Sequence, residues 1–192
     1  MIEAGKQIFA EKGFAGATMR GICKQAGTSS NMIHHYFDNM QGLYDAIIGQ
    51  ISDDMFAASL RIIATTPKTQ AEMVIKLELF IAEIFEGLIT HRFIFKILQH
   101  EKKDFKNFKD YRIGLVKFLN QCQKNGFLRA SINTNMLPGI ILDRLGNQVF
   151  HASFLAIDNA ENVIGNVEYR ASWLADNSDI LLFGLAANNP HQ

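Results

Sequence analysis

The sequence predicts an all-α protein of about nine helices, and three observations support this fold class. Apolar residues recur at helical spacing along most of the chain, whereas the alternating β-branched runs typical of strands are missing. Only three of the 192 residues are proline, the residue that most strongly interrupts a helix. With 48% hydrophobic residues, the chain has enough apolar side chains to fold around a core of one or two domains.

The first helix is predicted from Ile2 to about Lys12, where Gly13 ends the apolar pattern. The segment from Thr18 to Phe37 is then typical of two short helices joined by a tight turn. Gly27 supplies that turn, because a residue without a Cβ adopts a left-handed conformation at no steric cost.

The two short helices have hydroxyl residues where caps are expected and polar residues on one side. Thr18 and Ser29 are predicted to cap them through their hydroxyls. In the second helix the inward residues are predicted to be Ile33, Tyr36 and Phe37. The outward residues are then Ser30, Asn31, His34 and His35. Two small helices with a glycine turn and a polar outer face form a helix-turn-helix, which fits the major groove of DNA.

The remaining chain is predicted to be helical with short interruptions. After a loop at Asp38 and Asn39, helix four continues to about Ile63, and the polar segment Thr65–Thr69 follows it. The further helices are predicted at about Gln70–Thr90, at His91–Glu101, from the basic stretch Lys102–Tyr111 to Lys124, from Asn133 or Thr134 to His151, and at Asn166–Ala187. The basic stretch also contains acidic residues, which favours a solvated helix face over a second nucleic-acid patch.

The run FAEKGFAGATMRGICKQAGTSSNMIHHYFDNMQGLYDAII, from Phe9 to Ile48, resembles the DNA-binding domain of the tetracycline-repressor (TetR) family of transcription regulators. The matching features are Phe9, Gly13–Phe14, Thr18, Ile22, Ala26–Gly27, Ser29, the HHYF block and Leu43–Tyr44. The resemblance implies a DNA-binding domain over residues 1–48, with helix four linking onward to about residue 63. It also implies a larger helical domain for ligand binding and dimerisation over residues 49–192.

The resemblance implies which side chains contact DNA. Carried over by position, the base-facing candidates are Ser30, Asn31, Met32 and His35, and the phosphate-facing candidates are Thr18, Ser29, His34 and Tyr36. Their chemistry is suitable, because an asparagine pairs bidentately with adenine and methionine or serine contacts base edges. Three residues depart from the family pattern. Gly21 replaces an acidic capping residue, His34 replaces a tyrosine, and Met40 replaces a lysine that grips a phosphate.

An effector pocket inside the helices after helix four is likewise implied by the resemblance. The phenylalanine-rich sequence is consistent with such a cavity and equally with a solid core. The candidate lining residues are Phe80, His91, Phe93, Phe118, Asn147 and His151. The effector is expected to be a small apolar or amphipathic molecule.

The family pattern further implies a homodimer that binds a palindromic operator. Its interface is expected on the last two long helices, which contain more apolar surface than a solvent-facing helix requires. The candidate interface residues are Phe150, Trp173, Leu174, Leu181 and Leu182. In this interpretation the protein is a repressor that its ligand releases from DNA.

The composition and the motifs of the sequence argue against several other functional classes. Zero net charge predicts weak non-specific attraction to phosphate, so operator binding depends on shaped contacts. No catalytic or metal-binding motif occurs, and neither a cofactor nor an enzyme activity is expected. No signal sequence or long apolar run is present, which predicts a cytoplasmic protein without a membrane partner. The alternative is an all-α small-molecule-binding protein or enzyme without a role on DNA.

Overall fold

The computed structural model describes residues 1–92, 108–151 and 162–185. Within these ranges the chain forms eight α-helices, which confirms the all-α fold class. They are α1 (Ile2–Gly16), α2 (Met19–Ala26), α3 (Ser30–Phe37), α4 (Met40–Ile62), α5 (Gln70–Thr90), α6 (Phe108–Lys124), α7 (Leu137–Phe150) and α8 (Val167–Leu185). The predicted helix at 91–101, most of the basic stretch and the pocket candidate Phe93 lie outside the described residues.

Two helices differ from the prediction at their ends. The predicted stop at Gly13 is an interruption inside α1, where the glycine adopts φ 66° and ψ 176° and helical geometry resumes up to Gly16. Helix α7 begins at Leu137 rather than at Asn133 or Thr134. The reason is that the buried Thr134 donates its hydroxyl hydrogen bond to Asn120 Oδ1 on α6 at 2.6 Å, which holds this segment as a turn.

The chain divides into two compact units. The first comprises Met1–Asp54 with the described part of His91–Phe108. Its core lies between α1, α2, α3 and the first half of α4, where Phe9, Ile22, Ile33 and Leu43 are fully buried. The Tyr44 ring meets Phe9 edge-on, with 5.2 Å between ring centroids. These contacts fix the position of α3 within its own domain.

The second unit comprises Met55–Thr90 with the described part of Lys109–Gln192. Helix α5 packs against both α7 and α8. The buried ring of Tyr111 on α6 stacks on Phe80 at 5.8 Å and lies 5.0 Å from Phe56, so aromatic contacts form much of this core. The predicted domain limits, 1–48 and 49–192, remain a proposal.

Among the described helices, none is both long and apolar enough to cross a membrane.

Candidate nucleic-acid interface

Helix α2 has the start and the end that its sequence predicts. Thr18 Oγ1 accepts a hydrogen bond from the Gly21 N–H at 3.2 Å, and Gly27 adopts the left-handed conformation with φ 62° and ψ 36°. A Cβ at Gly21 would lie 3.0 Å from Thr18 Oγ1. Gly21 donates its N–H to the cap but lacks the carboxylate that would complete a capping box.

The start of α3 differs from the prediction. Ser29 occupies the N-cap position, but its side chain makes no capping hydrogen bond. Its carbonyl oxygen accepts the Met32 N–H at 3.1 Å instead. The predicted hydroxyl cap is therefore wrong. The exposed Ser29 hydroxyl and the first N–H groups of α3 are consequently not engaged in a side-chain cap, and such groups bind phosphate oxygens well.

Helix α3 is anchored through one narrow apolar edge. Ile33 is fully buried, and Phe37, one turn later, is half-buried. Tyr36 was predicted to face inward, but it is 60% exposed, because Ile33 and Phe37 already occupy the contact with the core. Its ring meets the neighbouring His35 ring edge-on at 4.9 Å. Most of the circumference of α3 therefore faces solvent.

All eight predicted DNA-contacting residues are exposed on the first unit. Seven lie on α3 or directly before it, and Thr18 lies at the start of α2. They are Thr18, Ser29, Ser30, Asn31, Met32, His34, His35 and Tyr36. The structure thus brings hydroxyl, amide and imidazole groups onto one free helix surface, while their contact with DNA stays a prediction.

The turn between α3 and α4 is tight. Asp38 has a positive φ of 66°, the only such value for a non-glycine residue in the described ranges. The Asn39 N–H donates to the Phe37 carbonyl at 2.7 Å, which makes Asp38 the centre of a three-residue γ-turn. The His34 Nδ1 lies 2.7 Å from the Asp38 carbonyl oxygen. Since a carbonyl only accepts, Nδ1 carries a hydrogen and the ring is held against this turn.

The loop at Asp38 and Asn39 was predicted from the sequence, but the roles of Asn39 and Gly42 were not. The Gly42 N–H donates to Asn39 Oδ1 at 3.0 Å, so Asn39 caps α4. A Cβ at Gly42 would lie only 1.9 Å from the Phe37 carbonyl oxygen, so no larger residue fits without displacing the end of α3. The sequence signal for this cap is an asparagine that stands three residues before a glycine at the start of a predicted helix.

The charges near α3 are few. The same unit exposes three cations, Lys12, Arg20 and Lys24. A fourth, Lys6, forms an ion pair with Glu3 at 2.7 Å. Met40, in place of the phosphate-gripping lysine, is half-buried against the domain core. This composition agrees with the expected reliance on shaped contacts rather than on bulk charge.

The candidate pocket residues of the second unit have different surroundings. Phe80 is fully buried against Tyr111, as in a solid core. Phe118 lines a cleft of about 330 Å³ beside Leu60 and Ile63. Asn147 lines another cleft, of about 420 Å³.

The two histidines among the pocket candidates differ in their surroundings. His151 is exposed after the end of α7, and His91 belongs to the first unit. Burial lowers the pKa of His91, nearby Lys6 adds to this, and Asp54 opposes it.

The candidate dimer residues are partly covered by their own chain. Phe150, Trp173, Leu174 and Leu181 are half-buried, and the Trp173 ring stacks on Phe85 at 5.0 Å. Leu182 is only 2% exposed. Leu182 therefore does not belong to the proposed interface, because a side chain enclosed within its own chain offers no surface to a partner.

The described residues contain no group of three or more histidine, cysteine, aspartate or glutamate side chains arranged to hold a metal ion. Both cysteines are buried and free, and burial raises the pKa of the Cys122 thiol to about 12. A thiol of this kind behaves as a small apolar core residue.

Residues 1–47 match the family model described as bacterial regulatory proteins, tetR family. The chain is 27% identical to the HTH-type transcriptional repressor KstR2 of Rhodococcus jostii over 103 residues, which are 54% of this chain and 48% of that protein. The chain thus spans about half the length of this curated relative. It is 24% identical to the repressor NicS of Pseudomonas putida over 202 residues, covering 96% of this chain and 90% of NicS.

Solved structures show the same fold over nearly the whole chain. The transcriptional regulator FadR from Bacillus subtilis, determined in complex with stearoyl-CoA, aligns with a TM-score of 0.66 at 17% identity, covering 94% of this chain and 93% of FadR. The resemblance to the TetR family is therefore confirmed, and residues 1–47 form a domain of the tetR family of bacterial regulatory proteins.

Proposed function

We propose that this protein is a transcriptional repressor that binds operator DNA through α3. The main evidence is that Ser30, Asn31 and His35 are exposed on α3, while the buried Ile33 anchors this helix to the core of its domain. A free helix surface with amide, hydroxyl and imidazole groups is suited to reading base edges in the major groove. The relatives KstR2 and NicS are both named as HTH-type repressors, which supports the same role here.

The repressor acts as a homodimer on a palindromic operator in the cytoplasm. Exposed apolar side chains on the last two described helices support this assembly, since Ile140 is 47% and Ile180 62% exposed. Trp173 and Leu181 are half-buried nearby on α8. A two-fold dimer presents two copies of α3, and their separation then sets the spacing of the operator half-sites.

An apolar or amphipathic ligand releases the repressor from DNA. FadR, with the same fold, was solved with stearoyl-CoA, and the phenylalanine-rich second unit of this chain offers apolar side chains for a related ligand. The ligand acts by binding more tightly to the conformation that fits DNA poorly. Its chemical identity is a matter for screening, beginning with long-chain acyl-CoA thioesters.

The test is fluorescence anisotropy with the promoter region beside the gene for this protein, with random DNA of equal length as the control. We expect promoter binding about 10³-fold or more tighter than binding to random DNA. Addition of the effector should release the labelled DNA. Equal affinity for the two DNAs would refute operator recognition and favour the alternative of a ligand-binding protein without a role on DNA.

A further inference from the structure

The outer side of α6 forms a basic cleft of about 460 Å³. Within the described part of the chain its lining includes three cations of this helix, Arg112, Lys117 and Lys124, and no carboxylate. Each of the three is exposed, and among the described residues none of them forms an ion pair. Cations gathered along one cleft create a positive potential that concentrates anions. The nearest carboxylate of this helix, Asp110, lines a different cleft that it shares with Lys117.

The cleft also offers groups for an organic ligand. Ile113 lies in it and is 51% exposed, which provides an apolar surface between the cations. Asn120 and Asn135 add side-chain amides to the lining. The cations span about 18 Å along the helix from Arg112 to Lys124, so an ion with one charge reaches only part of the site.

The far wall of the cleft is held in place before any ligand binds. The Gln123 side-chain amide donates to the carbonyls of Arg129 at 3.0 Å and Ile132 at 2.9 Å. The buried Thr134 hydroxyl donates to Asn120 at 2.6 Å. These bonds tie the segment after α6 back onto the helix. The ligand therefore meets a largely formed site, which lowers the entropy cost of binding.

We propose that this cleft binds an organic polyanion of about nucleotide size, with at least two negative charges and an apolar or planar portion. The charges pair with Arg112, Lys117 and Lys124, the amides hydrogen-bond polar edges, and Ile113 contacts the apolar portion. Arginine favours phosphate in particular, because its planar fork gives two parallel hydrogen bonds. This site is separate from the DNA-binding surface and from the proposed release by an apolar effector.

The test is calorimetric titration of the full chain at low salt with ADP, pyrophosphate and inorganic phosphate as probes. We expect ADP to bind with a Kd below about 1 mM and at least tenfold more tightly than inorganic phosphate. Binding should weaken as salt is raised, because the cations are exposed. The absence of ADP binding at about 1 mM, or pyrophosphate binding as tight as that of ADP, would overturn the proposal.

Matched variants locate the binding in the cleft. Arg112→Gln combined with Lys124→Gln should weaken ADP binding about tenfold or more. Lys12→Gln combined with Lys68→Gln removes the same charge at exposed positions elsewhere and should leave the affinity nearly unchanged. Asn135→Ala tests the wall without changing the charge and should also weaken binding. Equal losses in the two charge variants would show attraction to the net charge alone and would refute a site.

Discussion

The Nδ1 atom of His34 lies 2.7 Å from the carbonyl oxygen of Asp38, so the imidazole donates its Nδ1 hydrogen to the turn that ends α3. This bond leaves Nε2 as the only ring nitrogen for a phosphate oxygen. In the neutral ring Nε2 is an acceptor, which a phosphate does not bind. In the imidazolium it becomes a charged donor, which a phosphate binds well.

A phosphate contact by His34 therefore uses Nε2. We expect His34→Ala to weaken DNA binding, measured by anisotropy at fixed salt, by about 1.5–3 kcal/mol. The loss should be similar on operator and on random DNA, because a phosphate contact carries no sequence information. An unchanged affinity in His34→Ala would contradict a phosphate contact by this ring.

The base-facing assignment predicts a loss of discrimination in Asn31→Ala and in His35→Ala. Both side chains are exposed, so their removal leaves the core intact and the melting temperature nearly unchanged. Operator affinity should fall by about 1–3 kcal/mol, with a much smaller change on random DNA. An equal loss on both DNAs would indicate a phosphate contact instead.

The turn after α3 predicts a large effect at Gly42 and a contrasting one at Gly49. Gly42→Ala places a Cβ 1.9 Å from the Phe37 carbonyl oxygen, so the backbone must shift and the end of α3 moves with it. We expect a loss of about 1–3 kcal/mol in stability, together with weaker operator binding.

Gly49→Ala is the matched control in the same helix, because a Cβ there meets no atom within 4 Å. Alanine is the better helix former, so this variant should gain about 0.5–1 kcal/mol. Urea unfolding of both variants checks the pair. Equal stability of the two variants would show that the contact at Gly42 is relieved by a small local adjustment.

The contrast between Ile33 and Tyr36 shows what the sequence of α3 predicts and what it leaves open. Helical spacing identified Ile33 and Phe37 as inward, because an apolar residue recurring after four positions marks one face. The same spacing placed Tyr36 inward, since a period of 3.6 does not separate positions three and four apart. How much of a helix surface the neighbouring helices cover depends on packing between distant segments. A sequence pattern contains no measure of that coverage.

The positive φ of Asp38 and the basic cleft could not be predicted from the sequence, for a different reason. The positive φ of Asp38 belongs to the turn that one hydrogen bond closes, from the Asn39 N–H to the Phe37 carbonyl, and no propensity of aspartate alone requires it. The cleft needs Asn135 and the cations of α6 to face each other across a turn. The sequence predicts that the cations share one helix. It does not predict the segment opposite them, which is held in place by hydrogen bonds of Gln123 and the buried Thr134.

The proposed dimer predicts that exposed apolar residues on α8 are essential for assembly. Ile180 is 62% exposed, so Ile180→Glu should disturb the fold of the monomer little while placing a charge in the interface. Sedimentation should show monomers that no longer bind a full operator. Ile75→Glu is the control, because Ile75 is 56% exposed on α5, outside the proposed interface. A parent protein that is monomeric at micromolar concentration would refute the dimer.

Arg170 is predicted to stabilise the second unit mainly through backbone carbonyls rather than through its ion pair. Its Nε donates to the Val163 carbonyl at 2.8 Å, and its Nη2 donates to the Ile164 carbonyl at 3.2 Å. The ion pair with Glu86 spans 3.1 Å, but the Glu86 side chain is 52% exposed and that of Arg170 only 18%. An exposed pair contributes at most about 1 kcal/mol, whereas hydrogen bonds to a charged group contribute about 1.5–3 kcal/mol.

Arg170→Met should therefore cost about 2 kcal/mol or more, because it leaves two carbonyls without their donor. Glu86→Gln should cost less than about 1 kcal/mol. Arg112→Met, at an exposed arginine, is the control and should stay within about 0.5 kcal/mol of the parent. Urea unfolding of the three variants gives the comparison. Equal losses of stability in Glu86→Gln and Arg170→Met would contradict this prediction. They would show that the ion pair is the dominant interaction and that water replaces the arginine as hydrogen-bond donor to the two carbonyls.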